Sequence, residues 1–84
     1  MKALIVDDEF KAAEILSLLI EHHVPEIREA ITALGAQKAT VLLDNFQPDL
    51  VFLDIKMPGM NGFEWLRHLG KPSFEVIFTT AYDQ

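Results

Sequence analysis

The chain contains no cysteine, which rules out a disulfide framework, thiol chemistry and any cysteine-based zinc site. It is also poor in positive charge: 7 Lys and Arg stand against 13 Asp and Glu, for a formal net charge of −6. The basic residues are dispersed, so this segment offers no direct nucleic-acid surface. No apolar run approaches membrane-spanning length. The opening Met1-Lys2-Ala3 leads straight into a short strand and then acids, without the longer apolar stretch of a secretory signal. A cytoplasmic protein with no membrane contact is therefore expected. Internal repeats, low-complexity tracts and linkers are lacking too. With 84 residues there is room for one small domain at most, and 50% apolar content gives that domain the means to build a core.

What is present is a pair of acid clusters, each placed where an apolar run stops. Leu4-Ile5-Val6 ends in Asp7-Asp8-Glu9, and Leu50-Val51-Phe52-Leu53 ends in Asp54. Short apolar runs of this kind read as strands buried on both faces, the signature of a parallel sheet. Parallel strands share a direction, so their carboxyl ends line one edge, where open α/β sheets bind ligands. Asp7, Asp8 and Asp54 are thus expected to converge. Two unit charges ~4 Å apart repel by roughly 4 kcal/mol at an effective dielectric of ~20. Either one carboxyl keeps a proton, with a raised pKa, or a cation sits among them. Mg2+ suits such a site, being hard, oxygen-seeking and usually held by one or two carboxylates plus waters and phosphates. With a metal bound, a remaining carboxylate oxygen can attack phosphorus. The bland alternative is that the acids merely cap helices.

Along the chain, Ala3 to Val6 reads as the first strand and Phe10 to about His22 as a helix. Its expected apolar stripe is Ala12, Ile15, Leu16, Leu19 and Ile20, and Pro25 ends it. Ile27 to Ala33 separates poorly by polarity; it reads as an edge strand, with helix as the rival. Gln37 to Phe46 is a second helix with Ala39, Leu42, Leu43 and Phe46 inward. After Asp54 comes a loop, Met57-Pro58-Gly59-Met60-Asn61-Gly62, rich in residues that punctuate structure. A third helix runs from Gly62 or Phe63 to Leu69, packing Trp65 into the core, and Glu75 to Thr80 forms a fourth strand. The alternation argues for right-handed crossovers and an open parallel sheet with helices on both faces. His22 and His23 are read as favourable charges at a helix C-terminus rather than metal ligands. Glu9 either extends the acid pocket or favours the start of the first helix.

These landmarks resemble the receiver domain of bacterial two-component response regulators. The resemblance rests on Val6-Asp7-Asp8-Glu9, on Pro48 through Gly62 (PDLVFLDIKMPGMNG), and on Val76-Ile77-Phe78-Thr79-Thr80-Ala81, in the family's order along the whole chain. It implies a flavodoxin-like receiver fold with strand order 2-1-3-4. It further implies Asp54 as phosphoacceptor, Asp7 and Asp8 as the acidic pair holding Mg2+, the Lys56 backbone carbonyl as a further metal ligand, and Thr80 as the switch hydroxyl. Pro58 and Gly62 fit the loop shaping the site, through fixed and permissive φ respectively. The implied donor is a sensor histidine kinase, and the implied role is a switch rather than a classical enzyme. The wording around Ile55-Lys56-Met57-Pro58-Gly59 and Phe78 to Asp83 is similar to receivers that precede LytTR-type DNA-binding domains, so transcriptional control is expected, with DNA contacted only by that output domain.

One departure stands out. Receivers continue with another helix, a fifth strand bearing a Lys, an aromatic switch residue and a last helix. Neither Lys71 nor Tyr82 occupies those places, so residues 1–84 are expected to be a truncated receiver, self-associating through an exposed fourth-strand edge. Two other classes compete: an interaction module without phosphoryl chemistry, and an aspartyl-phosphate hydrolase. Lys56 stands where such hydrolases commonly place a second acid, which argues against the latter.

Overall fold

The computed structural model describes residues 1–79. They form β1 (Lys2–Asp7), α1 (Phe10–His23), β2 (Glu29–Leu34), α2 (Ala36–Phe46), β3 (Leu50–Leu53), α3 (Gly62–Leu69) and β4 (Glu75–Phe78). The strands make one sheet in the order β2-β1-β3-β4, every pair parallel. This is the expected order, and the poorly patterned stretch before α2 is an edge strand, paired from Lys2↔Glu29 to Asp7↔Leu34. Its partial exposure explains its mixed polarity, because one margin of an edge strand meets water.

The period of two along β1 divides the core. Leu4 and Val6 point to the layer that holds Val51, Leu53, Ala39, Phe46 and Trp65, so α2 and α3 cover that face. Ala3 and Ile5 point to the opposite layer, with Ala13 and Ile20 of α1 and with Ile27. Ala3, Leu4, Ile5 and Val6 are all buried, as a strand flanked on both sides and covered on both faces must be. Asp49 ties the start of β3 to that of β1. Its backbone N–H donates to the Lys2 carbonyl at 2.8 Å and its Oδ2 accepts the Lys2 N–H at 2.7 Å.

The expected stripe on α1 needs correction. Ala13, Leu16 and Ile20 lie against the sheet, while Ile15 and Leu19 are 59% and 51% exposed. The helix packs mainly over β1 and β2, so its buried arc narrows to the i, i+3, i+7 line. On the other layer Trp65 is buried, stacked on Phe74 with ring centroids 6.4 Å apart. Its indole N–H donates to Thr40 Oγ1 at 2.9 Å, and that hydroxyl donates to the Ala36 carbonyl at 3.0 Å. The one polar atom of the largest core side chain is thereby satisfied, and α2 is pinned to α3. Phe63 is 48% exposed and leans on Phe78, with ring centroids 5.0 Å apart.

The helix starts differ in chemistry. Glu9 and Gly35 precede α1 and α2 without a side-chain cap. Asn61 builds a full capping box for α3: its Oδ1 accepts the Glu64 N–H and Glu64 Oε1 accepts the Asn61 N–H, both at 2.9 Å. A helix of 8 residues is too short to persist on propensity alone. Asn61→Ala is expected to lower stability by about 1 kcal/mol, read as a shift in the urea midpoint.

At β4, Ile77 and Phe78 are 45% and 43% exposed, and no strand flanks β4 on its outer side among the described residues. Apolar side chains beside an unpaired ladder favour association. The 84-residue chain is expected to sediment as a dimer or larger species, and a well-folded monomer at micromolar concentration would count against it.

Candidate functional site

The register between β1 and β3 places the acids. Val6 pairs with Leu53, and the Asp54 N–H donates to the Val6 carbonyl at 2.9 Å, so Asp7 and Asp54 leave the sheet side by side. Asp8 follows one residue later and is exposed, whereas Asp7 and Asp54 are buried. Each of the three offers a carboxylate oxygen, and these atoms lie within 4.8 Å of one another.

Local backbone groups orient the two buried carboxyls. Asp7 Oδ1 accepts the Glu9 N–H at 2.9 Å, and Asp54 Oδ1 accepts the Lys56 N–H at 3.2 Å. Glu9 therefore serves the site through its amide, while its exposed carboxylate stands outside the acid group. Burial pushes the Asp7 carboxyl above its ordinary value. The Asp54 charge, a hydrogen bond with Asp54 and the Asp8 charge act in the same direction, and the Glu9 amide opposes them. A raised proton affinity at Asp7 is one answer to burial beside two other carboxylates.

A cation is the other answer, and the donor set fits one. It is all oxygen, which selects hard ions such as Mg2+ over soft metals. Oxygens across an octahedral ion with ~2.1 Å bonds are roughly 4.2 Å apart, close to the spread observed here. Asp7, Asp8 and Asp54 could hold such an ion directly or through water. Lys56, two residues past Asp54, is exposed. His22 and His23 belong to no metal-ligating group among the described residues. Thr80, the expected switch hydroxyl, lies outside the described residues; Thr79 just before it donates its N–H to the Leu53 carbonyl at 2.9 Å. On one side the site opens into a groove of about 720 Å³ lined by Asp8, Gly35, Lys38, Met60, Trp65 and His68.

Sequence reasoning located the loop after Asp54 but gave the wrong reason for Gly62. The left-handed position in that loop is Gly59, at φ 84°. Gly62 has no such φ and is buried where a side chain would strike the Asp54 carbonyl. No local sequence pattern carries that information, because it arises from α3 folding back on the end of β3. The Asp49 clamp was missed as well; only the register of β1 with β3 brings it to Lys2.

A parallel α/β sheet with three converging carboxylates at its carboxyl edge is the frame of a signalling receiver. Residues 3–84 match the family model for the response regulator receiver domain, and the chain belongs to that family. The sensory transduction protein LytT of Enterococcus faecalis is 41% identical over 87 residues, covering 100% of this chain and 35% of that protein. The chain thus spans about a third of the length of the curated relatives it matches. Among solved structures, the N-terminal domain of an uncharacterized protein from Wolinella succinogenes superposes with a TM-score of 0.81 at 32% identity, covering 100% of this chain and 67% of that one. The MaeR response regulator bound to beryllium trifluoride has the same fold, with a TM-score of 0.85 at 24% identity over 100% of this chain and 70% of that one.

The charge balance at the site has a measurable sign. Asp7 binds its proton more tightly folded than unfolded, so its contribution to stability falls as pH rises above the unfolded value of 3.8. In EDTA near neutral pH, Asp7→Asn should be more stable than the parent, because it removes a buried charge that the fold disfavours. The gap should close as pH falls through the folded pKa of Asp7. If Asp7, Asp8 and Asp54 hold Mg2+ together, saturating Mg2+ should reverse the order, since Asp7→Asn lacks one of the three carboxylates. Urea midpoints across pH, with and without Mg2+, decide this.

Proposed function

We propose that this chain is the phosphoacceptor switch of a two-component phosphorelay, with Asp54 as the acceptor. The single observation that carries the reading is the convergence of Asp54, at the end of β3, with Asp7 and Asp8. In this reading a sensor histidine kinase presents a phosphohistidine to the carboxyl edge of the sheet. An Asp54 carboxylate oxygen attacks phosphorus, the P–N bond breaks with its electron pair returning to the imidazole, and an acyl phosphate results. Mg2+, when bound, screens the charge of both reactants. Asp7, Asp8 and the Lys56 backbone carbonyl would join Asp54 as its protein ligands. The Lys56 amide limits rotation of the Asp54 carboxylate, keeping it aimed as an acceptor rather than free to swing.

The acyl phosphate adds charge and acceptor oxygens, which the Thr80 hydroxyl meets with a hydrogen bond. The residue before it, Thr79, ties the end of β4 to β3 through its N–H, and the proposed switch acts on that side of the sheet. That biases a two-state equilibrium read by an output domain that regulates transcription. Support for such an output comes from the LytT likeness and from the chain's 35% share of that protein's length. The role is that of a signalling module whose chemistry ends with its own phosphorylation and dephosphorylation. The location proposed is cytoplasmic; among the described residues no helix is long and apolar enough to cross a membrane.

Incubation with acetyl phosphate and Mg2+, followed by intact mass, tests the reading. One phosphoryl group should be gained by the parent and none by Asp54→Asn. No gain in a sample that circular dichroism shows to be folded would favour the competing reading of an interaction module without phosphoryl chemistry.

A further inference from the structure

The loop between β3 and α3 closes on itself at one point. The Gly62 N–H donates to the Ile55 carbonyl at 2.9 Å, and the Met57 N–H reaches the same oxygen at 3.1 Å. A Cβ at Gly62 would lie 2.7 Å from the Asp54 carbonyl oxygen, 3.1 Å from the Ile55 Cα and 3.2 Å from the Leu53 side chain. The two shortest of these contacts are to backbone, which cannot rotate aside as a side-chain tip can. The backbone conformation of Gly62 is open to any residue, so space alone demands glycine here.

Neither side of this contact is free to yield. Behind it, the Asp54 N–H is bonded to Val6 of β1 at 2.9 Å, within the sheet. In front, α3 is fixed by the Asn61–Glu64 capping box and by buried Trp65, whose backbone N–H donates to the Asn61 carbonyl at 2.9 Å. A methyl group wedged between them must displace the Asp54–Lys56 backbone or lift the first turn of α3 away from Ile55.

We propose that Gly62 is a positioning residue of the acidic site: having no side chain, it lets α3 clamp the Asp54–Ile55 peptide, and so sets the Asp54 carboxylate and the Lys56 carbonyl against Asp7 and Asp8. The inference rests on the phosphoacceptor reading above and adds to it the element that holds the acceptor in register with its metal ligands. Gly59 supplies the contrast. Its φ of 84° makes a side chain strained, yet a Cβ there meets nothing within 4 Å. Gly59→Ala therefore strains the same loop without touching the Asp54 peptide.

Three proteins are compared: the parent 84-residue chain, Gly62→Ala and Gly59→Ala. Thermal unfolding, Mg2+ titration by calorimetry and the rate of labelling by acetyl phosphate are read for each. Gly62→Ala should bind Mg2+ about 10-fold more weakly or worse, the range seen when a supporting shell is disturbed, with labelling slowed in parallel. Gly59→Ala should lose thermal stability while keeping the parent's Mg2+ affinity. Parental affinity in a folded Gly62→Ala, or a loss matched by Gly59→Ala, overturns the proposal and leaves the phosphoacceptor reading standing. A parent that neither binds Mg2+ nor accepts a phosphoryl group overturns that reading, and the proposal with it. Should Gly62→Ala not fold, amide spectra of the parent decide. The Gly62 resonance should shift with the same Mg2+ dependence as that of Lys56, and an unmoved Gly62 resonance overturns the proposal.

Discussion

The parallel pairing of β1 with β3 is the constraint on which the rest of this structure depends. It joins two segments more than forty residues apart, and it does so in the one register that lets both strands run out at an acid. Hydrophobic burial enforces that register: Leu4 and Val6 must meet one helical layer and Ala3 and Ile5 the other, and a slip of one residue would turn every side chain to the wrong face. The electrostatic cost of the site is thus imposed by the apolar core. Removing Asp7 from the water that would stabilise its charge follows directly from completing β1, and the raised affinity of Asp7 for a proton records it.

Much of this could be read from the chain because strands buried on both faces leave an unmistakable pattern. Leu4 to Val6 and Leu50 to Leu53 allow few alternatives, and acids directly after each fix where the charges gather. The edge strand was harder. Glu29 to Leu34 must serve one paired margin, one open margin and two faces at once, so its polarity follows no single period. The α1 stripe misled for a related reason. The periodicity of a helix shows how much apolar surface it could bury, whereas the width of sheet beneath it decides how much it does. Ile15 and Leu19 belong to the surplus. Gly62 shows a different limit: a glycine required by φ and one required by closeness look alike in sequence, and only the return of α3 onto the end of β3 separates them.

The two sides of the acidic edge differ in how firmly they are held. On the β1 side, Asp8 and Glu9 lead into α1 without a side-chain cap, and the Glu9 amide is the backbone group that orients the Asp7 carboxylate. On the β3 side, a capping box, a shared carbonyl at Ile55 and a close glycine contact brace the backbone within a few residues of Asp54. Under the proposed phosphoacceptor role, that asymmetry would hold Asp54 still while a charged group arrives and let Asp7 and Asp8 adjust around an ion.

Trp65 carries a consequence of another kind. It is the sole tryptophan in the sequence, it is stacked on Phe74, its indole N–H is engaged by Thr40, and it lines the same groove as Asp8. Light absorbed at the red edge of the protein's ultraviolet band is therefore absorbed at the seam between α2 and α3 and nowhere else. The wavelength and intensity of the emitted light report the polarity and hydrogen bonding of that seam alone, so the molecule carries its own optical gauge a short way from the carboxylates.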